Sequence, residues 1–309
     1  MTLQQLEYVV ALDSHRNFVV AANKCFVTQP TLTMQLKKLE DEIGVQIFDR
    51  NKKPLQPTLA GERIVMKARQ ILQEVDQLKA FLSNERESLH GSFTIAIIPT
   101  LAPYLLPLFL PAFNQQNPDT YLQIFEQQSE EIIRGLKNNT IDLGILVTPL
   151  KEKSIREIEL FQEPFLLYHP INHQLAQAEK VTPSMLNLSE MLILDEGHCF
   201  RNQTLNICNS ETNNNNLGFN YQSGSIETLK NLVNKNLGYT LVPELSVCSL
   251  QDNDQIKRFV SPEPVREISL AVHKSFTKEL LIEKLRQIIL TQIPENFAKN
   301  NKYMKVMWR

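Results

Sequence analysis

Over 309 residues, 32 Lys and Arg nearly balance 34 Asp and Glu, giving a net charge of −2 that leaves the question of nucleic acid to local patterning. The length supports two or three domains with real cores. No stretch approaches the roughly 18 consecutive apolar residues of a membrane span, which excludes a helical membrane protein. Met1 leads into an amphipathic run and not a basic, apolar leader, so the chain reads as cytoplasmic.

Helical periodicity fills the first 88 residues. Leu3, Leu6, Val9 and Val10 form one stripe and Phe18, Ala21 and Ala22 a second. Leu32, Leu36 and Leu39 form a third, with Thr28 as N-cap, Pro30 in the first turn and Gly44 as the stop. Arg50 to Pro57 reads as a hairpin or loop. Thr58 and Gly61 then open a long helix with Ile64, Ala68, Ile71, Leu72, Val75, Leu78 and Leu82 on one side. That stripe is longer than a helix on a small domain needs, and it has the look of a helix–helix seam.

From Gly91 the period changes. Apolar strands at 93–98, 121–125 and 141–147 alternate with helices at 105–113 and 130–136, the pattern of a doubly wound parallel sheet. A second set follows, with strands at 165–168, 191–194 and 239–242 and a helix at 226–233. A strand at 267–272 and a helix at 278–289 complete the pattern. Asn213 to Asn216 reads as a polar loop. Two such α/β units leave a cleft suited to a small ligand.

Charge is uneven. Ser14 to Leu39 holds Arg16, Lys24, Lys37 and Lys38 and no acid, and Arg50, Lys52 and Lys53 follow. Three short helices and a turn segment carrying this charge suit a winged helix-turn-helix. With the three leucines of the third helix inward, Gln29, Thr31, Thr33 and Gln35 are free to read bases, while Lys37, Lys38, Arg50 and Lys52 can meet phosphates.

Four cysteines are present. Cys25 and Cys248 have apolar neighbours and read as core residues. Cys199 lies between His198 and Arg201, with Cys208 nine residues on. In a cytoplasmic protein such a pair points to redox or metal chemistry more than to a static staple. Gly197 should break the chain before a helix starting near Cys199, aiming free N–H groups at the sulfur. On one continuous helix the two cysteines would stand about 13 Å apart on opposite faces, whereas a disulfide needs Cα atoms within about 7 Å. Joining them requires the intervening helix to unwind. Closing so short a loop constrains the chain by roughly 3 kcal/mol, against about 5.5 kcal/mol for full inversion of a two-state equilibrium.

Leu6-Glu7-Tyr8, Ala21-Ala22, Val27 to Thr33, Lys38-Leu39-Glu40, Phe48, Arg50 and Thr58-x-x-Gly61 closely resemble the N-terminal domain of the LysR-type transcriptional regulators. The resemblance implies that Gln29, Pro30 and Thr31 meet DNA. It also implies an α + α/β fold in a fixed order. A winged helix-turn-helix at 1–58 comes first, then a dimerising linker helix at 59–88. Two Rossmann-like α/β subdomains follow, forming a regulatory domain like the periplasmic binding proteins. The first spans 91–163 and 267–300; the second spans 164–266 and carries the redox cysteines.

Ile98-Pro99-Thr100, Pro103 to Pro107 and Asp195 to Gln203 with Cys208 are similar to the hydrogen peroxide-sensing branch of that family. By that resemblance Cys199 is the peroxidatic thiol and Cys208 the resolving thiol, joined on oxidation in a reversible disulfide. Around them we expect His198, Arg201, Gln203 and Arg266, with Thr100 and Ser129 at strand ends facing the peroxide. Asn220, before Tyr221, stands where the branch commonly has histidine. Operator DNA, RNA polymerase, a homodimer or homotetramer and a glutaredoxin or thioredoxin reductant are the implied partners, and no cofactor or metal is implied. Competing readings are a metabolite-responsive regulator, a thiol peroxidase enzyme, and a zinc site on His198, Cys199 and Cys208.

Overall fold

The computed structural model describes residues 1–82, 89–208, 224–248, 253–297 and 303–309. The loop 213–216, Asn220-Tyr221 and the 83–88 end of the expected linker helix lie outside the described residues. The chain divides into two units, Met1–Ser88 and Leu89–Arg309.

In the first unit α1 (Leu3–His15) begins at Thr2, whose side chain and that of Gln5 cap each other's backbone. Asn17 caps α2 (Phe18–Lys24) and Thr28 caps α3 (Gln29–Ile43), which ends at Gly44 with φ +71. The expected hairpin is there as a short antiparallel pair, β1 (Phe48–Asp49) on β2 (Gln56–Pro57). The long helix α4 runs Leu59–Leu82 without a break. Leu6, Leu12, Leu32, Leu36, Phe48 and Ala68 are buried together, as the three stripes require.

The second unit alternates as its periodicity foretells: β3 (Gly91–Ile97), α5 (Ala102–Gln116), β4 (Thr120–Glu126), α6 (Ser129–Lys137) and β5 (Leu143–Thr148). β4, β3 and β5 are parallel neighbours. The sheet as a whole is mixed, which corrects the expectation of a parallel one. The apolar segment at 165–168 is the end of a 14-residue strand, β6 (Ile155–Tyr168). Two short strands follow, β7 (Lys180–Val181) and, after α7 (Cys199–Ile207) and α8 (Ile226–Val233), β8 (Thr240–Pro243). Then come β9 (Ile256–Phe259), β10 (Glu263–His273), α9 (Glu279–Gln292) and β11 (Tyr303–Lys305). β10 is antiparallel to both β5 and β6. The expected strand at 191–194 reduces to one bridge, Met191 to Tyr239.

Two hydrophobic cores result. The first gathers β3 to β5, α5, α6 and α9; the second gathers the end of β6, β8 and α8. β6 runs through both, and β10 contributes Ile268 to Val272 to the first. Two cysteine expectations need correction: Cys248 is exposed, and Cys25 is only half-buried beside the first unit's core.

Gly61 is the tightest point of the first unit. A Cβ there would stand 1.9 Å from the Ile47 carbonyl oxygen, which also accepts from the Thr58 N–H. Gly61→Ala is expected to destabilise this unit by about 1–3 kcal/mol. Hydrogen exchange should quicken across α1 to α3 and stay unchanged in Leu89–Arg309.

Candidate redox site and nucleic-acid interface

Cys199 is the first residue of α7, with His198 as its N-cap. Gly197 sits at φ +90, and a Cβ on it would meet the Gln128 side chain at 2.4 Å. Glycine suits the position for its backbone angle, and a Cβ would also displace the end of the Gln128 side chain. Gln128 is the N-cap of α6 and precedes Ser129, so this close packing brings the start of α7 to the start of α6.

The Cys199 thiol is buried in the first core. Burial pushes it above the ordinary thiol range, while Arg266, Ser129 and the N–H groups of Phe200 and Cys199 itself pull against that shift. The expected helix N-terminus is thus aimed at the sulfur. Ser129 Oγ is buried and faces the thiol, yet it makes no hydrogen bond of ordinary geometry among the described residues.

The cation is Arg266, wholly buried on β10. Its Nε donates to Glu163 Oε2 at 2.8 Å, its Nη1 to Thr100 Oγ1 at 2.9 Å and its Nη2 to the Thr100 carbonyl at 3.1 Å. Glu163 is its direct cross-strand partner on β6. Burial raises the Glu163 carboxyl, and Arg266 with the Leu245 N–H draws it back. The guanidinium also lies 5.4 Å from the Phe200 ring centroid, one residue beyond the thiol. Sequence reading missed Glu163. Its signal was an acid in a strand otherwise apolar at that end, since a buried carboxylate demands a partner.

Three expected members stand elsewhere. Arg201 donates to the Leu194 carbonyl at 2.9 Å and secures the chain before the helix. Gln203 donates to the Val306 carbonyl at 2.7 Å. His198 packs on Gly224, where a Cβ would meet its Nε2 at 2.6 Å. Burial lowers its pKa against the pull of Asp195, which favours the uncharged imidazole. Among the described residues no three His, Cys, Asp or Glu side chains converge as a metal site would need.

Cys208 caps the other end of α7. Nine residues of helix put it about 13 Å away and half a turn round. It packs against the second core, while Cys199 packs in the first; both thiols are free. Although one segment carries both cysteines, their side chains enter different cores. Burial pushes the Cys208 thiol up to about 11.

In the first unit, Gln29, Pro30, Lys38 and Lys52 are exposed, and Lys37 with them; Thr31 and Thr33 are half-buried. The Thr31 hydroxyl is 2.8 Å from that of Thr28. Gln35 and Arg50 are less free than expected. Gln35 accepts from Gln5 at 3.3 Å. Arg50 pairs at 2.9 Å with Glu40, whose other oxygen accepts from the Ile47 N–H at 2.8 Å and ties α3 to the hairpin. Along α4, Ile71 is 39% and Leu78 60% exposed, an apolar stripe open to solvent in the single chain.

Two outcomes follow for the thiol. The alkylation rate of Cys199 in the dithiol protein should keep rising with pH without levelling off below about pH 9, because the thiolate is the reacting form. Arg266→Met should slow alkylation at neutral pH by about tenfold, one pKa unit's worth of thiolate. It should also destabilise the fold by about 3–5 kcal/mol through the stranded Glu163, with partial recovery in the Glu163→Gln, Arg266→Met double variant. Mass spectrometry of the Cys199 peptide and urea unfolding read the two effects.

Residues 3–62 match the bacterial regulatory helix-turn-helix proteins of the lysR family, and residues 86–294 match the LysR substrate binding domain. The hydrogen peroxide-inducible genes activator of Haemophilus influenzae is 38% identical over 272 residues, covering 87% of this chain and 90% of that protein. The DNA-binding transcriptional dual regulator OxyR of Escherichia coli K12 is 35% identical over 301 residues, covering 97% and 98%. A full-length OxyR variant from Pseudomonas aeruginosa has a TM-score of 0.84 at 31% identity, over 95% of this chain and 99% of its own. The chain therefore belongs to the LysR family of transcriptional regulators, and OxyR proteins are among the relatives it matches along most of its length.

Proposed function

We propose that this protein is a hydrogen peroxide-sensing, DNA-binding transcriptional regulator of the OxyR kind, switched by a reversible Cys199–Cys208 disulfide. The observation that carries the reading is Cys199 at a helix start facing Arg266 and Ser129, with Thr100 bonded to that arginine and a second thiol at the far end of the same helix.

Peroxide entering beside Cys199 meets donors that suit it. The Cys199 thiolate attacks one peroxide oxygen, the O–O bond breaks, and the departing hydroxide takes a proton and leaves as water. In this proposal, stabilisation of the bound peroxide and its leaving oxygen falls to Ser129 beside the thiol and to Thr100 bonded to Arg266. The product is a sulfenic acid on Cys199. Cys208 then attacks that sulfur as thiolate, the S–S bond forms, and the S–O bond breaks with loss of a second water. The helix between them must unwind for this step, since ~13 Å exceeds disulfide reach. His198 acts as a neutral wall of the site. Arg201 and Gln203 support the fold around it and do not touch the reacting atoms.

In the first unit, Gln29, Pro30, Thr31 and Thr33 at the start of α3 read base edges, and Lys38 and Lys52 meet phosphates. Gln35 and Arg50 serve chiefly to hold the domain. The exposed Ile71 and Leu78 on α4 give a seam for a second copy, the basis of a homodimer and of a dimer of dimers. No helix among the described residues is long and apolar enough to cross a membrane. We infer a cytoplasmic setting in which glutaredoxin or thioredoxin systems restore the dithiol and RNA polymerase is the partner at the promoter.

Brief exposure to equimolar peroxide tests the reading. The expected products are a Cys199–Cys208 crosslinked peptide in the native chain and a dimedone-trapped sulfenic acid at Cys199 in Cys208→Ser. Cys199→Ser should show the same operator footprint with and without peroxide. A footprint in that variant that still responds to peroxide would overturn the mechanism.

A further inference from the structure

The helix that must unwind is tied down by a segment distant in sequence. Asn202, Gln203 and Asn206 each send a side-chain amide to a backbone carbonyl of the run Val306 to Trp308. Asn202 Nδ2 donates to the Trp308 carbonyl at 3.2 Å, Gln203 Nε2 to Val306 at 2.7 Å and Asn206 Nδ2 to Met307 at 2.7 Å. With Cys199 these residues fall at i, i+3, i+4 and i+7, one face of α7. Cys208 is on the other.

The segment is itself anchored at both ends. β11 runs parallel to β10 from Glu263 to Val265, and the Val306 N–H donates to the Val265 carbonyl at 2.8 Å, one residue before Arg266. Lys305 pairs with Glu267. Val306 is buried in the second core and Trp308 in the first. Arg309 donates to the Leu150 carbonyl at 2.6 Å, pairs with Glu130 and stacks 4.5 Å from the Trp308 ring.

We propose that Tyr303–Arg309 is a latch on the redox helix, holding α7 in its dithiol conformation until disulfide formation strips the three amides from it. The proposal rests on the switch described above and adds the element that opposes it. An unwound 200–207 segment cannot keep three amides at helical spacing on three successive carbonyls. Oxidation must therefore break these bonds, and their strength sets how readily the disulfide forms. Displacement of the latch by any competitor lowers the peroxide needed to switch.

The test pairs two measurements on the full chain. In Asn202→Ala, Asn206→Ala, both at exposed positions, the dithiol–disulfide equilibrium in a dithiothreitol buffer should shift about tenfold toward the disulfide, a few-fold for each lost hydrogen bond. Helix propensity alone moves it the other way, because Ala is the better helix former. In the native chain, hydrogen exchange at Val306 to Arg309 should quicken on oxidation by peroxide. An equilibrium that is unchanged or shifted toward the dithiol overturns the latch, as does unchanged protection of 306–309 once the disulfide has formed. Failure of the native chain to form the disulfide at all overturns the switch, and the latch with it.

Discussion

Arg266 and Glu163 face each other across two antiparallel strands with no exposed surface, at the level where the two cores of the regulatory unit meet. Each charge alone would be prohibitive there, and together they are tolerable only because the remaining hydrogen-bonding groups are also satisfied. Thr100 accepts from two guanidinium nitrogens, and the Leu245 N–H donates to the other carboxylate oxygen of Glu163. The arrangement leaves little freedom to the guanidinium. It is a fixed positive charge, brought to the Cys199 sulfur by strand register and held there by Glu163 and Thr100.

That fixed charge works against a large opposing effect. The thiol sits among apolar side chains, where the uncharged form is favoured. Helix N–H groups, a hydroxyl and the guanidinium recover part of the difference. The result is a buried sulfur whose anion is still disfavoured on balance, with the groups that offset part of that cost already in place. Preorganised donors of this kind need no rearrangement when the charge develops.

The secondary structure was largely readable because it rests on local pattern. Thr28, Pro30, Gly44 and the leucine spacing delimit α3, and Gly197 marks the start of α7. The nine-residue spacing of the thiols carried their separation as well. What could not be read was long-range pairing. A run such as Phe165 to Tyr168 looks the same as a separate parallel strand or as the end of a long antiparallel one, since both are apolar throughout. Proximity in sequence also misled: Arg201 is two residues from Cys199 but turns to Leu194, while the operative cation arrives from Arg266. Gln203 looked like a ligand-facing amide, and its partner is a carbonyl more than a hundred residues on.

The raised pKa of Cys208 bears on selectivity. A side chain kept as S–H at neutral pH is a poor nucleophile toward small disulfides and other passing electrophiles. In the proposed mechanism it would gain reactivity only when loss of the helix brings it into water and toward an oxidised Cys199. On that mechanism, solvation sets the order of the two chemical events, and a passing electrophile meets Cys208 only as a buried thiol.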